Sequence, residues 1–304
     1  MAKDNLTKQA DFDGVTVREI DFVTRFARNW QALRDIMGIM RPIKKQPGTK
    51  LTSYKTQIKD NGSLVGGTSV GEGDEIPYTE FEVIPVAYAD IDLGKYAKAV
   101  SIESVAKYGA EVAIQKTDDQ FLVELQNKVL TDFYTFLGDT TGRTTGTATT
   151  WQKCLAQAKG KVLNKFASMR KSVTDVVGFA NLNDLYEYLG EATITVQSAF
   201  GLNYVKDFLG YSTLFLLSDI DLEQGTVIAL PVENIDLYYI DPSDSDFKKL
   251  GLGYRVDGET NLIGFHAEGK YGNAVGESFA LMGMTLWAEY ADGVAIYTVD
   301  SNPS

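Results

Sequence analysis

The chain has 304 residues, of which 44% are apolar and 23% charged, so about two folded domains with apolar cores are expected. The single Cys154 excludes an internal disulfide framework. The polar opening MAKDNLTKQADFDG and the short apolar run FALMGMTLWA predict neither a signal peptide nor a membrane span, so we expect a soluble, unexported chain with no membrane partner.

The net charge of -12 is unevenly distributed. Residues 1–60 carry 12 Lys/Arg against 7 Asp/Glu, whereas the rest of the chain carries 17 against 34. This asymmetry indicates a basic arm that docks on an acidic neighbour, and chance in a solvated region is an equal alternative. Direct nucleic-acid recognition by the arm is less favoured, because its basic residues are spread out and lack interleaved aromatic side chains.

The first predicted element is an amphipathic helix in TVREIDFVTRFARNWQALRDIM. Thr16 and Glu19 have the spacing of a capping box, and Gly38 and Pro42 end the helix. Its apolar stripe precedes any domain core, so it must lie on the chain's own body or on another subunit. We expect contacts with a neighbouring subunit from four side chains of this stripe: Val23, Phe26, Trp30 and Leu33.

Residues 46–95 predict two extended arms joined by a glycine-rich tip at 60–75. Pro77 and Pro85 favour an edge structure over a fully bonded central strand. A lone two-stranded hairpin is marginal in water, so these arms need a partner. We expect pairing between the arms, and contacts with a neighbour, from four charged residues: Lys55, Lys59, Glu80 and Glu82.

From Ser101 to Leu137 the apolar period becomes helical, and Gly109 divides a short helix from a long one. The threonine- and glycine-rich stretch GDTTGRTTGTATT predicts a flexible loop. A further helix at about 150–169 precedes VTDVVGFANLNDLYEYLG, which predicts a buried strand and a short helix capped by Asn183 or Asp184.

The rest of the chain predicts strands separated by Gly, Asp and Pro turns. The segments are STLFLLSDI, GTVIALPVENIDLYYID, LGLGYRVDG, NLIGFHAEGKYG, ESFALMGMTLWAEY and GVAIYTV. The predicted fold class is therefore α+β, with antiparallel strands.

Residues that would carry catalysis are scarce. The single histidine, His266, lies in a strand pattern without a nucleophile, and Cys154 is expected to be a small core residue. GEGDE and GLGY lack the context of a phosphate-binding loop, and DPSDSDFKKLG lacks the central glycine and closing glutamate of a calcium loop. We expect no enzyme activity and predict no catalytic, cofactor-binding or metal-binding residue and no cofactor.

The order of segments resembles the major capsid proteins of tailed bacteriophages with the Hong Kong 97 type capsid fold. The resemblance rests on EGDEIPYTEFEVIPVAYADIDLGKYAKAVSIESVAKYG followed by the long helix, and on VGFANLNDLYEYL, GTVIALPVENIDLYYID and ALMGMTLWAEYADGVAIYTV. It covers nearly the whole chain.

The resemblance implies an extended loop that reaches over the next subunit and a spine helix in a peripheral domain. The implied divisions are an N-terminal arm at 1–45, the extended loop at 46–95, a peripheral domain at 96–150 and 242–285, and an axial domain at 151–241 and 286–304. It also implies hexamers and pentamers in an icosahedral shell around double-stranded DNA, assembled in the bacterial cytoplasm beside a portal protein and decoration proteins.

Two departures from the family pattern modify these expectations. Nearly everything before the spine helix belongs to the arm and the loop, so we expect a separate scaffold protein or none. No residue here matches the Lys–Asn bonds that join subunits in some relatives, so we expect shells held together without covalent bonds. The alternatives are an encapsulin-like compartment with the same fold, and a secreted β-rich adhesin or carboxylate hydrolase, which the absent signal sequence disfavours.

Overall fold

The computed structural model describes residues 14–37, 40–59, 63–65, 70–173, 175–190, 196–199, 202–232, 234–256 and 258–300. The helices are α1 Gly14–Met37, α2 Ile102–Tyr108, α3 Lys116–Gly138, α4 Trp151–Ser168, α5 Leu182–Leu189 and α6 Ser245–Lys248. The first strands are β1 Met40–Lys45, β2 Leu51–Ile58, β3 Phe81–Ala89, β4 Leu93–Ser101, β5 Thr144–Ala148, β6 Val176–Asn181 and β7 Gln197–Ala199. The later strands are β8 Leu202–Phe208, β9 Tyr211–Leu217, β10 Thr226–Pro231, β11 Ile235–Ile240, β12 Ile263–Lys270, β13 Val275–Ala288 and β14 Ala295–Val299.

A five-stranded sheet is built around the long strand β13. The strand order is β1-β11-β13-β12, and β4 also pairs with β13. β1 is parallel to β11, whereas β13 is antiparallel to β11, β12 and β4. Apolar side chains of α1 and α3 form one core with this sheet.

A seven-stranded sheet has the order β5-β14-β10-β6-β9-β8-β7. All six residues of β6 are buried, as expected for a central strand covered on both faces. On one face Phe133 at the carboxyl-terminal half of α3 meets Phe179 edge to face, and on the other face α4 and α5 close a second core. The long helix α3 therefore joins the two sheets through a shared core.

Several sequence predictions are confirmed locally. Gly109 ends α2 at the predicted break, with a φ of 81°. Ser101 caps α2 and a short π-helix at Glu111–Gln115 leads into α3, and the sequence pattern predicted neither of these two features. Thr150 caps α4 by accepting a hydrogen bond from the Lys153 amide. The predicted cap of α5 is wrong, because the Asn181 side chain is the cap and accepts the bond from the Asn183 amide at 2.8 Å.

The predicted strand arrangement needs three corrections. The sheets are mixed, because β1–β11, β5–β14 and β6–β9 are parallel pairs. The predicted loop at 138–150 contains β5, whose pairing with β14 is a distant contact that local composition does not reveal. LGLGYRVDG forms only an isolated bridge between Arg255 and Phe265.

The predicted division of the chain into domains stays a prediction, and each of the two large sheets takes a strand from a segment assigned to the other domain. β5, which lies in the segment 96–150, belongs to the seven-stranded sheet, and β11, which lies in 151–241, belongs to the five-stranded sheet. GTVIALPVENIDLYYID supplies both β10 and β11, one strand for each sheet.

The N-terminal helix packs on the chain's own body. Val23, Phe26 and Trp30 are buried in the core that α1 shares with α3, and the Phe22 ring stacks on Phe265 with 4.1 Å between centroids. The prediction that these three side chains of the stripe contact a neighbour is therefore wrong, because no more than 4% of any of them is exposed. The side chain of Leu33 lies outside the described part of the chain.

Trp30→Asp is expected to destabilise the subunit itself, by more than about 3 kcal/mol, because it removes a buried aromatic side chain and places a charge in the core. Thr24→Asp is the matched control, since Thr24 is exposed on the same helix and the added charge is the same. Chemical denaturation followed by circular dichroism measures both variants. A Trp30→Asp chain as stable as Thr24→Asp would contradict the packing of α1.

Candidate functional site: surfaces for assembly

The hairpin of β2 and β3 stands apart from both sheets. These two strands pair only with each other among the described strands, in antiparallel register from Leu51 opposite Ala89 to Ile58 opposite Phe81. The register shifts between Ser53 and Tyr54, opposite Pro85, whose ring removes a backbone donor. The predicted pair of extended arms is confirmed, and both of its outer edges are unpaired within the described chain.

Large apolar side chains of the hairpin and its tip face solvent. Seven of them are between 52% and 93% exposed: Tyr54, Leu64, Val65, Ile76, Tyr78, Phe81 and Val83. Single exposed apolar residues are ordinary, but seven large ones on one hairpin and its tip indicate an interaction surface. The hairpin is therefore the principal candidate surface for contact with another molecule.

Polar cross-strand pairs hold the hairpin together but contribute little energy. Lys59 Nζ lies 2.8 Å from Glu80 Oε1, as the sequence predicts. Glu82 accepts a hydrogen bond from Gln57 Nε2 at 2.7 Å, so its partner is not a lysine. Lys55 lies opposite Ile84 in the register, and its side chain is outside the described part of the chain. Exposed pairs of this kind stabilise by at most about 1 kcal/mol each, and contacts of these charges with a neighbour stay a hypothesis.

A second exposed apolar surface lies where α2 meets the turn between β12 and β13. A cavity of about 380 Å³ opens there, with six apolar or aromatic side chains in its lining: Val100, Ile102, Val105, Ile114, Tyr271 and Val275. Ile102 is 60% exposed and Tyr271 is 99% exposed. The sequence pattern does not reveal this surface, because Ile102 has the helical spacing of a core residue. In the structure Ile102 lies in the first turn of α2, a helix without buried residues.

The basic arm is tied to acidic residues of the chain's own body. Its central contact is Asp118 on α3, whose Oδ1 lies 2.6 Å from Arg18 Nη2 and 2.5 Å from Lys98 Nζ. Arg18 also donates to Ser278 Oγ at 2.8 Å. One buried carboxylate thus links α1, α3, β4 and β13.

Further ion pairs continue along the arm. Arg41 on β1 lies 2.7 Å from Asp236, and Lys44 lies 2.6 Å from Asp241. The hydrogen bond to Asp241 raises the pKa of Lys44 above its usual value. The arm therefore docks on acidic residues of the body of the same chain. Docking of the arm on an acidic neighbouring molecule stays a prediction.

Glu19 has a different role from the predicted capping box. α1 already begins at Gly14, and Glu19 Oε1 accepts a hydrogen bond from the Ala267 amide on β12 at 2.6 Å. His266 Nδ1 lies 3.2 Å from the same oxygen. Glu19 therefore connects α1 to the edge of β12, and His266 belongs to this structural contact.

The other residues considered for chemistry have structural roles. Cys154 is fully buried, and burial raises the pKa of its thiol. In the DPSDSDFKKLG segment, Asp241 accepts a hydrogen bond from the Ser243 amide and Asp244 accepts one from the Asp246 amide, which confirms a turn capped by Asp side chains. Among the described residues, no group of three or more His, Cys, Asp or Glu side chains is placed to hold a metal ion. No described helix is long and apolar enough to span a membrane.

Comparison with solved structures identifies the fold. The chain superimposes on a structure from Mycobacterium phage Patience with a TM-score of 0.54 and 11% identity, over 93% of this chain and 88% of the other. It superimposes on the holo-SrpI encapsulin complex from Synechococcus elongatus with a TM-score of 0.52 and 12% identity, over 89% of each chain. The mature capsid of bacteriophage PhiM1 gives 0.50 and 8%, over 88% of this chain and 87% of the other. The chain has the Hong Kong 97 type capsid fold.

No protein-family model matches the sequence, and no curated protein shows significant sequence similarity to it. At identities of 8 to 12%, the likeness to the solved structures is one of fold. In the terms of the capsid fold, the β2–β3 hairpin is the extended loop and α3 is the spine helix. The loop projects from the body, whereas the arm is fastened to the spine helix through Asp118.

Asp118→Asn is expected to cost about 3 to 5 kcal/mol in the free energy of unfolding, because it leaves Arg18 and Lys98 without their buried carboxylate. Asp119→Asn is the matched control on the same helix. Asp119 is 58% exposed, and its pair with Arg25 is expected to contribute at most about 1 kcal/mol. Urea denaturation at pH 7 compares the variants, and equal losses of stability would contradict the role of Asp118.

The same comparison has a defined pH dependence. Burial opposes the charge on Asp118, but hydrogen bonds from Arg18 and Lys98 outweigh it and hold the pKa below its usual value. An unfolded Asp titrates near pH 3.9, so the stabilisation is complete above about that pH and is lost as the pH falls through the lower folded pKa. The difference between wild type and Asp118→Asn should therefore stay constant from about pH 7 to 5.

Proposed function

We propose that the chain is the major capsid protein of a tailed bacteriophage, the subunit of an icosahedral shell around double-stranded DNA. The observation that carries this proposal is the β2–β3 hairpin, which exposes large apolar side chains and has no second layer of its own within the described chain. A neighbouring copy supplies that layer when identical subunits close into rings and shells. The capsid fold and the sequence motifs from EGDEIPYTEF to GKYAKAVSIE support the same function.

The proposal includes the partners and the place of assembly. The chain forms hexamers and pentamers, meets a portal protein at one vertex, and surrounds non-specifically bound double-stranded DNA. Decoration proteins are further partners of such a shell, and it uses either a separate scaffold protein or none. The subunit is a structural component of the virion, assembled in the cytoplasm of a bacterial host, and it needs neither a cofactor nor catalytic residues.

An encapsulin-like compartment is the alternative that shares this architecture. The similarity to the holo-SrpI encapsulin complex supports it, with a TM-score within 0.02 of that of the Patience structure. A compartment encloses protein cargo, whereas a capsid encloses nucleic acid. A neighbouring portal or terminase gene would decide for the phage, and the contents of particles isolated from the native source would separate the two functions directly.

The purified chain is expected to form shells, or hexamers and pentamers, that negative-stain electron microscopy and sedimentation velocity detect. Val83→Asp should lower particle yield at least about tenfold, because each of many repeated contacts would bury a charge. Val83 is 60% exposed in the subunit, so the variant should keep the wild-type circular dichroism spectrum.

Val83→Thr is the matched control, since it keeps the shape of the side chain without a charge, and it should assemble far better than Val83→Asp. Normal shells from Val83→Asp would show that this face of the loop is not an interface. A wild-type chain that stays monomeric at high concentration with an ordered hairpin would contradict the proposed function.

A further inference from the structure

The most basic part of this acidic chain surrounds α4. Residues 140–174 contain seven Lys/Arg and no Asp/Glu, although Asp/Glu outnumber Lys/Arg by 41 to 29 in the whole chain. Six of the seven cations lie on α4 or directly after it: Lys153, Lys159, Lys161, Lys165, Arg170 and Lys171. A segment of 35 residues without an acid, in a chain with a net charge of -12, points to a surface that meets anions.

α4 has one buried face and one solvent face. The buried face packs in the second core, on the seven-stranded sheet, through Trp151, Cys154, Leu155, Ala158, Val162 and Phe166. The opposite face is exposed and carries mainly basic, amide and small side chains, among them Gln152, Lys153, Gln157, Gly160, Lys161, Asn164 and Ser168. Packing on the sheet therefore explains the apolar residues on the buried face of α4. It does not explain the basic and amide residues on the exposed face.

Three of the six cations contact other elements of the chain, and only one of the three, Lys165, is in an ion pair with a described residue. Lys165 lies 2.5 Å from Asp292, Lys159 donates to the Gly210 carbonyl, and Lys171 contacts the Tyr290 hydroxyl and lies 4.1 Å from the centre of its ring. These interactions hold the helix against neighbouring strands and turns.

The side chains of the other three cations make no ion pair or hydrogen bond with an acidic residue or with another helix or strand within the described part of the chain. Lys153 donates to the uncharged Thr149 hydroxyl at 3.0 Å, and Lys161 and Arg170 have no ion-pair partner among the described residues. From Lys153 to the end of α4 at Ser168 the helix rises by about 22 Å, and Arg170 follows directly after it. Duplex DNA carries about one phosphate charge per 1.7 Å of its axis, so a surface of this length faces several phosphates.

Gly160 is a second feature that packing does not explain. Glycine is unfavourable in a helix interior, and a Cβ atom built at Gly160 would meet nothing within 4 Å. Because Gly160 has no side chain, another molecule can approach the helix backbone closely next to Lys161. The neighbouring amide side chains of Gln157 and Asn164 are hydrogen-bond donors that suit phosphate oxygens.

We infer that the exposed face of α4 with Lys153 and Lys161, together with Arg170 directly after the helix, binds the phosphate backbone of duplex DNA without sequence specificity. This face carries no aromatic side chain, which favours a duplex over the stacked bases of a single strand. The inference rests on the proposed function, in which it identifies a surface of the subunit that faces the packaged genome.

Fluorescence anisotropy with a labelled mixed-sequence DNA duplex tests this on the full-length chain, diluted until it is unassembled. The triple variant Lys153→Gln, Lys161→Gln and Arg170→Gln should bind at least about tenfold more weakly than wild type at low salt. The slope of log affinity against log salt should become shallower by about 0.9 for each phosphate that the protein no longer neutralises. The control variant Lys107→Gln, Lys116→Gln and Lys248→Gln removes the same charge from exposed positions elsewhere and should change affinity less than about threefold.

If both variants bind DNA equally weakly, the effect is one of net charge and the inference is overturned. It is also overturned if the α4 triple variant binds as tightly as wild type, or if wild type does not bind the duplex. Lys161→Glu alone is a second variant, expected to weaken binding in the same direction. Shell formation is measured in parallel. If the α4 variant fails to assemble but keeps its DNA affinity, this face contacts a neighbouring subunit and the inference is overturned. If wild type stays monomeric, that result contradicts the proposed function and not the DNA-binding inference.

Discussion

A two-stranded sheet has two open faces and two open edges, and it is stable only when another structure covers them. This constraint makes the subunit depend on a partner. The β2–β3 hairpin has no third strand and no helix over it within the described chain, yet it carries Tyr54, Phe81 and Val83 in exposed positions. Burying apolar area stabilises by about 25 cal/mol per Å², and an isolated hairpin obtains almost none of this. The hairpin is therefore complete only against another molecule, and closed symmetry lets an identical copy be that molecule.

The N-terminal arm also has apolar side chains that need to be covered, but it buries them on the body of its own chain. It also precedes every core in the sequence, but α1 places Phe22, Val23, Phe26 and Trp30 between α3 and β12. The carboxylate of Asp118 fixes this position through Arg18 and Lys98. A buried ion pair is weak evidence for net stability, but removing one partner is costly, so the network specifies where the arm lies. The subunit thus has an arm fastened to its body and one hairpin outside both cores.

Local patterns predicted the helices well, because the spacing of apolar residues, the capping residues and the glycines that end helices are all signals within a few residues of one another. Gly109 and Thr150 stand at the predicted break and the predicted helix start. The errors concern partners that are distant in sequence. Nothing near Thr144–Ala148 indicates that it pairs with β14, and nothing in α1 shows whether Trp30 meets its own chain or a neighbour. The basic segment around α4 is visible in the sequence as residues 140–174, which contain no acid, but the sequence alone does not show which of its cations lie on an exposed face.

Hydrogen–deuterium exchange of the hairpin, compared between unassembled and assembled protein, tests the central claim most directly. Amides of Leu51–Ile58 and Phe81–Ala89 should exchange rapidly in the unassembled chain, because a lone hairpin opens easily, while amides of the buried strand Val176–Asn181 stay protected in both states. Assembly should slow the hairpin amides by at least about tenfold. A hairpin already protected to the level of Val176–Asn181 in the monomer, or equally unprotected in the particle, would contradict the account.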